Sequence, residues 1–464
     1  MELKGKKVLV VGLGKSGLAA ALFLRREGAQ VTVSDVRTAE ALAHEIPALL
    51  EAGIMVESGG HGLLTFRRQD LIVVSPGVPF DTPELVQARN LGLPVIGELE
   101  LASRFLRGTI LAITGSNGKT TTTTLLGDIL REAGLNTLVG GNIGVPVVDL
   151  IDQTADDTWT VLEVSSFQLE TTVDFHPNIA VILNITPDHL DRHGSFENYA
   201  RAKERILAAQ NAQDAVVLNA DNERAAQAAA HSTARIYWFS IEHSVDQGAW
   251  VEDGYLLYRD LRDAEIEKVM PLSKIPLKGE HNIENVLAAV CAARQAGAPA
   301  EAIARAIENF KAVEHRLEHV ATLNGVEYYN DSKATNVDAT AKAIAAFSSG
   351  IHLILGGKDK DSDYAQLEEL LRQRVLAVYT IGAAAAKIES QLRGVVSIHS
   401  CITLDHAVQA ASLSARPGEV VLLAPACSSF DQFENYEHRG RTFKQLVLEH
   451  VGHAMPTSNA EQNA

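Results

Sequence analysis

Apolar, β-branched runs alternate with Ala- and Leu-rich stretches along the whole chain, and this alternation constrains the fold more than any other feature. KKVLVV, TILAIT, WTVLEV, IAVILNIT, DAVVLN, IHLILGG and EVVLLAPA read as buried strands. Helices are predicted between them, for example over 16–28, 118–133, 283–297 and 301–310. Strands that are apolar throughout are covered on both faces, and parallel neighbours need long crossovers. An α/β fold of parallel sheets with right-handed crossovers is therefore expected. Several strands end in Gly or small polar residues, and ligands of such sheets bind beyond the strands' C-terminal ends.

A chain of 464 residues holds about two to four domains. Boundaries are expected near 97, in GLPVIGELELASRF, and near 312, in FKAVEHRLEHV. This divides the chain into modules 1–97, 98–312 and 313–464. With 46% apolar and 21% charged residues, a soluble globular protein is expected. A net charge of −17 argues against non-specific nucleic-acid binding, which rests on Lys and Arg against phosphate. Cys291, Cys401 and Cys427 show no C-x-x-C spacing, so neither a zinc knuckle nor a disulfide framework is suggested. The N-terminus runs straight into a strand with no signal-peptide pattern, and no run of about 18 apolar residues could span a membrane. A reducing cytoplasm and a monomer are expected, with a frayed polar tail from Met455.

ILAITGSNGKTTTTTLLGDIL, residues 110–130, is a strand, a glycine turn and a helix opened by Gly-Lys-Thr. The usual phosphate loop is G-x-x-x-x-G-K-S/T. Here Ile113 stands where its first Gly should fall, and the loop glycine is Gly115. Gly115, Asn117 and Gly118 are expected to present backbone N–H groups to phosphate, backed by the helix N-terminus. Lys119 can reach the β- and γ-phosphates, and Thr120 can put a hydroxyl on Mg2+. The plainer alternative is a turn capping an ordinary helix, which Gly-Lys-Thr directly after a buried strand argues against. Thr121 to Thr124 are poor helix formers that can pack on the sheet.

Downstream, VLEVSSFQLE puts Glu163 at the end of an apolar strand. Past another strand, NITPDHLDRHGSFENYARAKERIL carries Asp188, His189, Asp191 and His193, with Lys203 on the helix that follows. A Glu and a His at two strand ends beside a phosphate loop suit Mg2+ held with phosphate and water. A satisfied surface His and a capping Asp are the plainer alternatives.

TGSNGKTTT, LEVSSFQLE, LNITPDHLDRHGSFENYARAKERIL, GEHNIENVLAAV, EHRLE and NDSKATN, in this order, resemble the Mur ligase family. The likeness covers nearly the whole chain, and that family's shorter loop, G-x-x-G-K-S/T, accounts for the missing glycine. It implies an ATP-dependent amide-forming ligase of peptidoglycan stem-peptide synthesis. It places ATP on Gly115, Ser116, Asn117, Gly118, Lys119, Thr120 and Thr121, on Asn282 for the adenine beside His281 and Asn285, and on Arg316 and Asp331. The last two lie past the second boundary, so the third domain would have to close over ATP. One Mg2+ is implied near Thr120 and Glu163, and a second near His189 and a carbamylated Lys203. A carbamate is a carboxylate-like oxygen ligand, whereas an ammonium repels Mg2+.

The turn GLGKSG places Gly12, Gly14 and Gly17 at G-x-G-x-x-G spacing, with Asp35 closing the next strand. On spacing alone NAD fits, but UDP also carries a diphosphate for a helix N-terminus. The likeness implies a UDP-sugar peptide held by Lys15, Ser16, Asp35, Arg37, Ser75, Pro76 and Gly77, with Asn142 and Gln168 also on the substrate.

Residues 422–443, LLAPACSSFDQFENYEHRGRTF, are most similar to the D-glutamate-adding members. The likeness points to Thr335, Lys360, Ser429 and the backbone around Phe430 and Tyr436 as a dicarboxylate cradle. GGKDKD leaves open whether Lys358 or Lys360 touches substrate. The expected chemistry is attack of the UDP-N-acetylmuramoyl-L-alanine carboxylate on ATP, giving an acyl phosphate that the D-glutamate amine opens. Lys119, His189 and Lys203 are the expected catalytic residues, and the general base stays open between His189 and Asp188. Alternatives are another Mur ligase, a folylpolyglutamate synthase, an NAD-dependent oxidoreductase fused to an NTPase, or a non-catalytic nucleotide-binding module.

Overall fold

The computed structural model describes residues 1–261, 265–311 and 313–453. The polar tail from Met455 and the boundary residue Ala312 lie outside the described residues. The chain packs as two compact units. One comprises 1–187, 192–276 and 284–310; the other comprises 188–191, 277–283 and the chain from Lys311 on.

The first unit begins with five parallel strands: β1 (Lys7–Val11), β2 (Gln30–Asp35), β3 (Met55–Ser58), β4 (Leu71–Val74) and β5 (Val95–Gly97). Their order is β3-β2-β1-β4-β5, so the chain reverses direction across the sheet at β1 and β4. The helix Lys15–Arg26 follows β1 and packs tightly on it: a Cβ at Gly17 would lie 1.9 Å from the Gly12 carbonyl oxygen. Only glycine permits that approach.

The same unit continues with β6 (Thr109–Thr114), β7 (Thr137–Gly141), β8 (Trp159–Glu163), β9 (Ile179–Ile182), β10 (Ala215–Asn219), β11 (Arg235–Ser240), β12 (Gly248–Glu252), β13 (Tyr255–Arg259) and β14 (Ile266–Pro271). They form one sheet ordered β14-β13-β12-β11-β10-β9-β6-β8-β7. Register aligns Ile113 with Glu163, Thr114 with Ile182, and Gly141 with Glu163. The C-terminal ends of β6, β7, β8 and β9 thus share one edge. An apolar core running from Val8 and Leu24 through Leu99, Val147 and Leu150 to Leu218 unites the two sheets.

The second unit holds β15 (Glu318–Leu323), β16 (Val326–Asn330), β17 (Ile351–Gly356), β18 (Val375–Ile381), β19 (Ser397–Ile402) and β20 (Val420–Leu423), ordered β15-β16-β20-β17-β18-β19. Separate apolar clusters cover its two faces.

Two departures from the sequence expectation have clear causes. The expected all-parallel pattern fails at two edges. β12 and β13 are antiparallel across Asp253-Gly254, with φ of 49° and 76°. β15 and β16 are antiparallel across Asn324-Gly325, with φ of 51° and 82°. Both are two-residue turns whose paired positive φ Asp-Gly and Asn-Gly supply. IAVILNIT also does not continue as one strand, because β9 ends at Ile182. Beyond it Asn184 turns to the phosphate loop, accepting the Ser116 N–H on its carbonyl at 2.9 Å and the Asn117 N–H on its side chain at 2.8 Å. Among the described residues, no helix is long and apolar enough to cross a membrane.

Candidate active site

Strand β6 delivers the chain to Gly115, and the helix Lys119–Glu132 leaves from Gly118. Gly118 has φ 86°, and a Cβ there would come within 2.1 Å of Asn285 Oδ1, so the loop closes only with glycine. The Asn117 N–H, expected to face phosphate, is donated to the Asn184 side chain at 2.8 Å, and the helix that opens at Gly118 adds its N-terminal end to the loop. Lys119 Nζ donates to the carbonyls of Gly115 at 2.7 Å and Ser116 at 2.9 Å. Thr121, Thr122 and Thr123 are buried, as β-branched residues packed on the sheet.

At the same sheet edge, Thr120 Oγ1 donates to Glu163 Oε2 at 2.8 Å, and Asn142 Nδ2 donates to Glu163 Oε1 at 2.9 Å. Strand pairing explains this, since Asn142 follows Gly141, the register partner of Glu163. A hydroxyl and a buried carboxylate at one point are hard oxygen donors, which fit Mg2+. Lys203 is 1% exposed; its Nζ donates to Gly115 O at 2.8 Å and lies 4.5 Å from the centre of the Tyr199 ring. As an ammonium it is a cation, not a metal ligand.

His193 is not a ligand candidate. Its Nδ1 is 2.9 Å from Glu170 and its Nε2 3.0 Å from Ser166 Oγ, while its ring stacks on Phe167. Gln168 closes a capping box with Ser165, so its Oε1 serves the short helix Ser166–Leu169.

In the N-terminal turn, Lys15 Nζ donates to the Gly144 carbonyl, and a Cβ at Gly14 would lie 3.8 Å from Ser75 Oγ. Asp35 accepts the Leu13 N–H at 2.7 Å and is bonded through both oxygens by Arg37. Burial pushes the Asp35 carboxyl up, but the Arg37 and Leu13 bonds outweigh it and hold it below the usual range. In a dinucleotide site that acid would grip ribose hydroxyls; here both oxygens already have donors. Arg192 Nη2 donates to the Val78 carbonyl at 2.7 Å, holding the loop that carries Ser75, Pro76 and Gly77.

The second unit gathers another set. Asp188 accepts Asn336 Nδ2 at 2.9 Å and Lys360 Nζ at 3.4 Å, with His189 Nε2 at 3.6 Å. Lys358 instead pairs its backbone with Ser428, and its side chain is exposed. Asp331 is pushed up to about 7 by burial, against the opposing charge of Arg316 and the Leu317 N–H. Burial, with the charges of Lys342 and Arg316, pushes His281 down to about 4, so it is neutral. Asn282 Nδ2 donates to the Lys278 carbonyl at 2.7 Å. Ser429 is buried and Phe430 is 67% exposed, so Phe430 can contribute its backbone but its ring faces outward. Thr335, half-buried, follows Lys333, whose Nζ sits 3.6 Å from the centre of the Tyr436 ring.

Three family models match this chain: a Mur ligase MurD-like N-terminal domain over 6–97, a Mur ligase middle domain over 113–293, and a Mur ligase glutamate ligase domain over 315–427. The chain belongs to the Mur ligase family. A protein of Acidobacterium capsulatum named UDP-N-acetylmuramoylalanine–D-glutamate ligase is 69% identical over 98% of this chain and 98% of its own. One of the same name from Koribacter versatilis is 59% identical over 96% and 98%. Among solved structures, a pseudomurein peptide ligase type C from Methanothermus fervidus has a TM-score of 0.59 at 20% identity, covering 96% of this chain and 100% of that one. A UDP-N-acetylmuramate–alanine ligase from Thermotoga maritima has the same values. Those two likenesses carry the fold alone.

Sequence reasoning missed two parts of this Mur ligase site. Arg439 is fully buried and bonds Ser332, Cys427 and Ser428, pinning NDSKATN to the ACSSF loop. Nothing local marks it. Asn184 was detectable only as a polar residue ending an apolar run.

Proposed function

We propose that this chain is an ATP-dependent ligase joining D-glutamate to UDP-N-acetylmuramoyl-L-alanine in peptidoglycan precursor synthesis. The observation that carries the reading is 69% identity, across 98% of both chains, to a relative named for that reaction. Residues 1–97 hold the UDP end, 98–312 the ATP phosphates, and 313–464 the amino acid.

A carboxylate oxygen of the UDP substrate attacks the γ-phosphorus of ATP. The bond to the bridging oxygen breaks, ADP leaves, and an acyl phosphate forms. Lys119 neutralises phosphate charge, because phosphoryl transfer is mostly positioning and electrostatics. The neutral amine of D-glutamate then attacks the acyl carbon, phosphate leaves with the bonding pair, and the nitrogen loses a proton. When bound, Mg2+ would supply positive charge against the phosphate oxygens; Thr120 and Glu163 would hold one ion, and His189 with Lys203 as its carbamate would hold a second. Lys15, Ser16, Arg37 and the Ser75–Gly77 loop serve the UDP end, with Asn142 and Gln168 also on that substrate, and Asn282, Arg316 and Asp331 serve the nucleoside of ATP. Lys360, Thr335, Ser429 and the backbone at Phe430 and Tyr436 hold the D-glutamate carboxylates. The Lys360 ammonium beside Asn336 and Asp188 supports that choice over Lys358.

The test is phosphate release by purified protein with ATP, Mg2+ and UDP-N-acetylmuramoyl-L-alanine, adding one amino acid at a time. Release that requires D-glutamate and ignores L-glutamate, diaminopimelate and lysine is expected. Release with another amino acid would keep the ligase chemistry and void the dicarboxylate cradle.

A further inference from the structure

A cavity of about 430 Å³ in the first unit is lined by Arg89, Arg192, Arg201 and Arg205, with the Phe80 ring and Glu170. No residue of the phosphate loop or the N-terminal glycine turn lines it. Four arginines and two carboxylates, Asp81 and Glu170, line it, and Glu170 is shared between His193 Nδ1 at 2.9 Å and Arg192 Nη2 at 4.0 Å.

Arg192 Nη2 lies 4.0 Å from Glu170 Oε2, but among the described residues Arg89 and Arg205 have carbonyls rather than carboxylates as partners. Arg89 Nη2 donates to the Phe80 carbonyl at 3.0 Å, Arg192 Nη2 to the Val78 carbonyl at 2.7 Å, and Arg205 Nε to the Leu169 carbonyl at 2.8 Å. A carbonyl satisfies an N–H group but does not cancel a positive charge. Arg201 pairs with Glu197 at 3.1 Å, and that carboxylate is shared with Arg224 at 3.3 Å. In a chain of net charge −17, four arginines around one cavity make a local field of the opposite sign. Their mutual repulsion is a cost that a bound anion removes. Planar guanidinium forks match phosphate oxygens two at a time, and the volume suits a small ligand.

We propose that this cavity binds a small molecule carrying two linked phosphates. Occupancy bears on the N-terminal domain through Arg192, because the guanidinium that would grip the anion also holds the Gly77 and Val78 carbonyls at 3.4 and 2.7 Å.

The test is calorimetric titration of inorganic pyrophosphate into the full chain and into R89Q/R201Q, two exposed positions, with the variant's fold checked by its unfolding midpoint. The phosphate loop and the glycine turn are common to both proteins and give a shared background. The variant is expected to lose one binding site or weaken it by about tenfold or more. Equal stoichiometry and affinity would overturn the site. R201E, which reverses the charge at a side chain 71% exposed, should show the same loss, and wild-type binding there would also overturn it. Inorganic phosphate titrated the same way should bind more weakly at this site; equal affinity would overturn the diphosphate assignment.

Discussion

Lys203 Nζ donates to the carbonyl oxygen of Gly115 at 2.8 Å, from a side chain that is almost wholly buried. Lys119 Nζ donates to that same oxygen at 2.7 Å. Two ammonium groups on one carbonyl repel each other beside the loop to which the proposed mechanism assigns the phosphates. Addition of CO2 to a neutral Lys203 amine forms an N–C bond, releases a proton and turns a cation into an oxygen-donor anion. Replacing Lys203 by Ala should therefore lower turnover by about 10²-fold or more. Formate or acetate should restore part of it. Full activity without added carboxylate would rule out the carbamate.

Glu163 is the acceptor for both Thr120 and Asn142. Glu163→Gln keeps the shape and removes the charge. It should cut kcat/KM by about 10²–10³-fold and raise the Mg2+ concentration needed for half-maximal rate. Thr120→Ser, which keeps the hydroxyl, should stay near wild type in the same Mg2+ titration. An unchanged Mg2+ dependence in the Gln variant would remove Glu163 from the metal site.

Lys360 and Lys358 should separate in their dependence on the amino acid. Lys360→Ala should raise the KM for D-glutamate by about tenfold or more, the loss of a charge-assisted bond. Lys358→Ala, at an exposed side chain, should stay within about twofold. Steady-state titration of D-glutamate at saturating ATP reads both, and the reverse pattern would hand the role to Lys358.

Glu98 is fully buried, and its Oε1 accepts the Val148 N–H at 3.0 Å. Burial pushes its carboxyl up to about 7; the Val148 and Val147 N–H groups oppose this less strongly, and the charge of Asp149 adds to it. A carboxyl raised in the folded state adds stability that is complete below its unfolded value. That stability is lost as pH rises from about 4.5 through about 7. Glu98→Gln keeps the acceptor for Val148 and cannot ionise. At pH 8 the variant should be more stable than the wild type by up to about 3 kcal/mol, shrinking toward zero near pH 4.5. Urea unfolding at several pH values measures this, and a constant difference would mean that Glu98 does not titrate on folding.

The legible parts of the fold were those written in contiguous residues. TILAIT matches β6 residue for residue, because an unbroken β-branched run has few alternatives to a buried strand. The two hairpins were written too, in Asp253-Gly254 and Asn324-Gly325. They were obscured because the flanking strands look like the parallel ones around them. The capping of Gln168 by Ser165 and the packing of His193 between Phe167 and Tyr199 could not be read. A glutamine or histidine next to a motif looks the same whether it faces a ligand or fills a core.

By itself the sequence determined the α/β class, the phosphate loop, the glycine turn and the family, since each rests on spacing within a short stretch of backbone. Only the tertiary structure decided that the Asn117 N–H goes to Asn184, that Glu163 receives Thr120 and Asn142, and that Lys360 rather than Lys358 meets Asp188. It alone placed Arg439 under the ACSSF loop and collected Arg89, Arg192, Arg201 and Arg205 around one cavity. Those relationships join residues tens to more than a hundred positions apart. Strand register and packing bring them together, and no local spacing encodes either.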